Sequence, residues 1–241
     1  MHEILENVLI WDFEGTLAVR PGRFAGALAD AARIIDGTFS ASTADLRPLL
    51  SPAFPWHSKE LMHKYAGDAD SWWTNIEKYS TDALQQFGLS SSVSREAARL
   101  ARSVYLDISG WRRIDGTVET LEILSERGWV HVIMSNFAPE LELIVDGLGL
   151  SDPIAMAFSS AIVGFEKPHE GFFRYVFERL GRARAVWMIG DNVDADIKGA
   201  RAAGLKTILL GEHSPEADHS IPAIFQVADI VGSPPGIRKD D

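Results

Sequence analysis

Cysteine is absent from all 241 residues, so disulfides, thiolate nucleophiles and cysteine-ligated zinc are excluded from the outset. Basic charge is also short: 23 Lys and Arg stand against 34 Asp and Glu, a formal net charge of -11. That balance disfavours nucleic acid as a partner, because displacing phosphate counterions needs a basic surface. No apolar run approaches the roughly 20 residues that cross a bilayer, and Met1 leads into HEILEN rather than into a basic stretch followed by an apolar one. The expectation is a cytoplasmic protein with no membrane partner. With 46% of its residues hydrophobic, the chain can bury one substantial core and a smaller second one.

Strand-like runs are missing from a long stretch as well. NVLIWDF (7–13) reads as a buried strand, but residues 20–110 contain nothing comparable. They carry helical spacing instead, in RFAGALADAARIIDG, in STADLRPLL behind a Ser/Thr cap, in SWWTNIEKYSTDALQQFG and in SREAARLARSVYLDIS. From about residue 115 the texture alternates. Helix TVETLEILSERG, strand WVHVIMS, helix PELELIVDGLG, strand IAMAFSS, helix EGFFRYVFERLG, strand AVWMIG, helix DADIKGARAAG, strand KTILL and a late strand VADIVG follow in turn. This βα succession predicts an α/β fold, a Rossmann-like parallel sheet with helices on both faces. The first strand needs neighbours and belongs to that sheet. An all-helical domain, residues 20–110, is then inserted into a core made of residues 1–19 and 111–241.

On this scaffold Asp12 ends the first strand, Ser135 and Asn136 end VHVIM, Lys167 lies in the loop VGFEKPHEG, and Asp191 ends AVWMI. Carboxyl ends of parallel strands are where open α/β sheets bind ligands. Asp12 and Asp191 supply oxygen ligands for a hard cation such as magnesium. Lys167 brings a positive charge, and Ser135 and Asn136 bring hydrogen-bond donors for an anionic oxygen. The set implies a phosphoryl group, attacked by Asp12 to give an aspartyl-phosphate, with Glu14 as acid and base.

These residues resemble the motifs of the haloacid dehalogenase (HAD) superfamily, specifically its phosphatase-like members with a helical cap. DFEGTL is similar to the first motif, D-x-D-G-T; IMSN to the second; the Lys of FEKP to the third; GDNVDAD to the fourth. The resemblance implies Asp12 as nucleophile, the backbone carbonyl of Glu14 and the carboxylate of Asp191 on magnesium, and Asp196 supporting the metal's water shell. It also implies Ser135 and Lys167 on the phosphate of a small phosphorylated metabolite. Glu14 stands where the pattern has a second Asp.

Other readings of the same residues remain open. Ser135 and Asn136 can cap the next helix, and Asp196 can be a first-turn helix charge. Trp56 and His57, in the loop SPAFPWHSKE, are either substrate contacts or loop anchors. Trp72 and Trp73 point to different helix faces, so at least one belongs to the core of the inserted segment, which also holds Arg20 and Arg33. A metal-free dehalogenase on this fold, or a phosphate-binding scaffold, are the competing functions. The acidic pair Asp191 and Asp196 weighs against the first.

Overall fold

The computed structural model describes residues 7–54, 67–181 and 185–234; Trp56 and His57 lie outside them. Strand β1 (Asn7–Trp11) is buried along its whole length. Its alternation sends Leu9 and Trp11 into one apolar cluster and Val8 and Ile10 into another. A strand covered on both faces reads as an unbroken apolar run, which is how it appears in the sequence.

Among the described residues the chain then forms the two-residue strand β2 (Ala18–Val19) and the α-helices α1 (Arg23–Ile35), α2 (Thr43–Leu50), α3 (Ala69–Gln86) and α4 (Ser91–Leu106). Strand β3 (Arg112–Arg113) pairs antiparallel with β2, so the helical segment leaves and returns through one short ribbon. Side-chain capping fixes the starts of α2, α3 and α4. Ser42 and Asp45 form a reciprocal capping box before α2, and Asp68 and Ser90 accept from backbone N–H groups of α3 and α4. Helices α1 and α4 pack together, and the small residues Ala25, Ala29 and Ala32 of α1 and Ala97 and Ala101 of α4 are buried.

The remainder is α5 (Thr117–Glu126), β4 (Val130–Ser135), α6 (Leu141–Gly147), β5 (Ile154–Ser159), α7 (Ser160–Val163), α8 (Glu170–Leu180), β6 (Ala185–Gly190), a π-helical turn (Val193–Lys198), α9 (Gly199–Ala202), β7 (Lys206–Leu210), β8 (His219–Ile221) and α10 (Val227–Val231). The six-stranded sheet has the order β5-β4-β1-β6-β7-β8 and is parallel throughout. Trp11 sits level with Ile133 of β4 and Ile189 of β6. The residues after these positions therefore emerge together, at the place where the strand order reverses and a crevice opens. No helix among the described residues is long and apolar enough to cross a membrane.

Two sequence expectations are corrected here. VADIVG, expected as the last strand, is helix α10: Val227, Ala228 and Val231 are buried and Asp229 is exposed, a one-sided helical pattern that a run this short shares with a strand. The sheet ends instead with β8, which contributes a single buried residue, Ile221, and so leaves almost no apolar signal. DADIKGARAAG, expected as one helix, begins as the π-helical turn and only then becomes α9.

Candidate active site

Asp12 continues the line of β1, its N–H donating to the carbonyl of Ile189 at 2.8 Å. Its Oδ1 accepts from Ser135 Oγ at 2.8 Å and from Lys167 Nζ at 2.7 Å. The same ammonium reaches Asp196 Oδ1 at 2.6 Å, although Lys167 is only 1% exposed. Burial alone would lower the Lys167 pKa, but the carboxylates of Asp12 and Asp196 outweigh it and raise it. Asn136 fixes where Lys167 enters: its Oδ1 accepts from the Lys167 N–H at 2.6 Å and its Nδ2 donates to the Lys167 carbonyl at 2.9 Å. The side-chain amide of Asn136, expected on a bound anion, is thus committed to the backbone of Lys167. Nor do Ser135 and Asn136 cap the following helix, since α6 starts after Glu140.

Carboxylate oxygens of Asp12, Asp191 and Asp196 lie within 4.8 Å of one another. Asp196 is placed by the π-helical turn, where its Oδ2 accepts from the Asn192 N–H at 3.0 Å. Glycines permit the crowding. A Cβ on Gly190 would stand 2.2 Å from Asp196 Oδ2, and one on Gly15 (φ 111°) 2.2 Å from Asp191 Oδ2. Burial first, then the charge of Asp12, raises the pKa of Asp191, with Arg23 opposing. Asp196 is pushed up to about 7 by burial, against the pull of Lys167. Three crowded carboxylates that resist being charged together, with oxygen as the only donor atom, fit a hard divalent cation such as magnesium.

Glu14 is half-buried beside this group, with Oε1 sealed from solvent and Oε2 accepting from Tyr105 Oη at 3.4 Å. Burial pushes its pKa up to about 7, while the guanidinium of Arg23 opposes. Arg23 itself reaches Asp191 Oδ2 at 3.1 Å. Its backbone is left-handed (φ 54°), an uncommon state for a residue with a Cβ, and it follows Gly22, also left-handed at φ 74°. The sequence reading missed Arg23 and Tyr105. Pro21-Gly22 ahead of the helix was the available signal for Arg23; nothing in the sequence marks Tyr105. Arg20, singled out instead, is buried and donates to the Val104 carbonyl at 3.2 Å, tying the start of α1 to α4. Arg33 is exposed and pairs with Asp30.

The family model for haloacid dehalogenase-like hydrolases matches residues 6–204. The chain belongs to that family. Over 220 residues it is 29% identical to haloacid dehalogenase-like hydrolase domain-containing protein 3 of Homo sapiens, covering 87% of this chain and 83% of that protein. Over 129 residues it is 36% identical to the ribulose-1,5-bisphosphate 5-phosphatase of Halopiger xanaduensis, covering 47% of this chain and 54% of that relative, about half of its length. Among solved structures, the magnesium-bound HAD-hydrolase YfnB of Bacillus subtilis superposes with a TM-score of 0.72 at 21% identity, covering 94% of this chain and 98% of that one. At that identity the likeness is one of fold.

Within this HAD-like hydrolase the carboxylates face a cavity of about 790 Å³. The sheet side contributes Asp12, Ser135, Lys167 and Asp191; the helical segment contributes the aromatic walls Phe24, Phe54 and Trp72 and the cations Arg23 and Arg47. Trp72 and Trp73 are both buried, their rings meeting edge to face at 4.8 Å, and both line the cavity. They serve at once as helical core and as wall.

Proposed function

We propose that this hydrolase is a magnesium-dependent phosphatase acting on a small phosphorylated metabolite through an aspartyl-phosphate. The observation that carries the reading is the hold on Asp12: one oxygen bound by both Ser135 and Lys167, beside Asp191 and Asp196. Those two donors suit the oxygens of a phosphoryl group placed against Asp12. Asp12, Asp191 and the backbone carbonyl of Glu14 would hold magnesium, with Asp196 supporting its water shell. Once bound, the cation neutralises charge on the phosphoryl oxygens.

In the first step a carboxylate oxygen of Asp12 bonds to phosphorus, the ester P–O bond breaks, and its electron pair leaves on the alcohol oxygen. Glu14 protonates that oxygen. In the second step Glu14 takes a proton from water, whose oxygen bonds to phosphorus while the bond to Asp12 breaks, restoring the carboxylate and releasing phosphate. Lys167 and Ser135 hold the phosphoryl oxygens through both steps. The helical segment, residues 20–110, acts as a cap on the core of residues 1–19 and 111–241, and closing it excludes water.

The test is phosphate release from 4-nitrophenyl phosphate with magnesium or with EDTA, in the unaltered protein and in Asp12→Asn. Release should require magnesium and vanish in the variant. Halide release from a 2-haloacid in EDTA would replace this reading with a dehalogenase, and no turnover of either substrate would leave a phosphate-binding scaffold.

A further inference from the structure

Glu14 carries one methylene more than the aspartate of the D-x-D-G-T pattern, and with it one more rotatable bond. A carboxyl that is to give and take protons must be held in place, since a misplacement of about 1 Å can cost on the order of 10² in rate. Very little holds this one. Among the described residues its carboxyl makes a single hydrogen bond, Oε2 accepting from Tyr105 Oη at 3.4 Å, while Oε1 has no partner. Arg23 acts on Glu14 through its charge, but its guanidinium is bonded to Asp191 instead.

Tyr105 is well fixed. It is buried near the end of α4, and its ring meets Phe24 and Trp73 of the helical segment and Trp111 and Phe137 of the segments that follow. The four ring centres lie between 5.4 and 6.2 Å from its own. Its carbonyl accepts from Trp111 Nε1 at 2.7 Å, which ties down the backbone as well. A phenol keeps its proton at neutral pH, so the hydroxyl donates, and Glu14 Oε2 is its one acceptor among the described residues. At 3.4 Å the bond is long, as catalytic hydrogen bonds often are before the substrate complex forms.

We infer that Tyr105 is the positioning residue for Glu14: its hydroxyl holds one carboxyl oxygen and so sets the reach and direction of the group that serves the leaving oxygen and the attacking water. Tyr105 keeps its own proton throughout; the proton that moves is the one on Glu14. An aspartate at position 14 would end roughly 1.5 Å short, beyond hydrogen-bond range of a hydroxyl already 3.4 Å away. The tyrosine therefore matches a glutamate and would be idle beside an aspartate. Because Tyr105 belongs to α4, the carboxyl is set only while the helical segment lies over the strand ends. This inference rests on the phosphatase reading and deepens it.

The experiment measures kcat/KM for phenyl phosphate and 4-nitrophenyl phosphate in the unaltered protein, Tyr105→Phe, Glu14→Asp and the double variant. The two esters are close in shape, but 4-nitrophenolate leaves without a proton whereas the poorer leaving group of phenyl phosphate gains from one. Tyr105→Phe keeps the ring packing and loses only the hydroxyl. It should cut kcat/KM for phenyl phosphate at least about tenfold and for 4-nitrophenyl phosphate less than about threefold. With Asp at position 14 the loss on phenyl phosphate caused by Tyr105→Phe should shrink to about twofold or less, because the hydroxyl no longer reaches the carboxyl. Equal losses on both esters, or the same loss whether position 14 is Glu or Asp, would make Tyr105 a packing residue; the inference would fall and the phosphatase reading would stand. Absence of phosphate release from either ester by the unaltered protein overturns both.

Discussion

Trp73 of α3 donates its indole N–H to both carboxylate oxygens of Glu140, at 3.0 Å each, across the boundary between the helical segment and the sheet. Arg102 of α4 completes the clasp, reaching Glu140 Oε1 at 2.7 Å while its guanidinium lies 5.4 Å from the Trp73 ring centre. One acidic residue ahead of α6 thus gathers two helices of the proposed cap.

The clasp should stabilise the arrangement described here by a modest amount. Glu140 is mostly buried but Arg102 is 37% exposed at its side chain, so solvent screening discounts the ion pair. Glu140→Ala should cost about 1–2 kcal/mol in urea unfolding, since the Trp73 N–H is left without its acceptor. A double-mutant cycle with Arg102→Ala should show a coupling of at least about 0.5 kcal/mol. Strict additivity would mean that the Arg102 contact contributes nothing.

Glu14 should be separable into two functions. Its backbone carbonyl is the same in any variant, so Glu14→Gln should keep magnesium affinity, read by calorimetric titration, close to that of the unaltered protein. In the proposed mechanism the side chain carries the proton, a role worth about 10² to 10⁴ in rate. Glu14→Gln should therefore lower turnover at least about tenfold, and Glu14→Asp should keep measurable activity because only the reach changes. Equal turnover in Glu14→Gln, with chemistry shown to limit the rate, would remove Glu14 from the mechanism.

Lys167 should be worth more to the fold than a lysine in a loop. It is the buried counterion of Asp12 and Asp196, and removing one partner of a buried ionic cluster typically costs about 3–5 kcal/mol. Lys167→Met should lose about that much stability in EDTA. Adding Asp196→Asn should recover part of the loss by removing one stranded charge. A Lys167→Met protein as stable as its parent would show that the two carboxylates are neutralised by some other route.

Much of this was legible in the sequence because the relevant signals are local. The unbroken run in β1 and the polar residues after β4 and β6 each announce a strand end. What escaped was set by packing between distant segments. Asn136 looks like an anion donor until the loop before Pro168 is seen to bond to its side chain. Arg23 and Tyr105 enter the site only because α1 and α4 pack together above Asp12, and no spacing in the chain records that. Helix α10 was read as the last strand because five apolar-rich residues fit either period, and β8, with one buried residue, left too little apolar signal to be read at all.

Stability should also depend on acid through a residue outside the active site. His131 of β4 is fully buried beside β1, and its Nδ1 lies 3.0 Å from the indole nitrogen of Trp11. Indole can only donate, so Nδ1 must accept, and the ring's one proton sits on Nε2, which donates to the Leu121 carbonyl at 3.0 Å. Adding a second proton would break the Trp11 bond and bury a charge. Burial accordingly lowers the His131 pKa from 6.5 to about 4, with the Leu121 carbonyl opposing. In the unfolded chain the imidazole takes up a proton near pH 6.5; in the folded chain it refuses one until about pH 4. Between those values the unfolded state binds more protons, so this contribution is fully present above about 6.5 and is lost as pH falls toward 4. The loss amounts to about 2 kcal/mol by pH 5 and about 3 kcal/mol at most. His131→Gln offers Trp11 an acceptor that does not titrate. Urea unfolding at pH 7.5 and pH 5 should therefore show a larger drop for the unaltered protein than for the variant, by about 2 kcal/mol. Parallel drops in the two proteins would mean that His131 accepts its proton in the folded state, and the hydrogen-bond assignment to Trp11 would have to be abandoned.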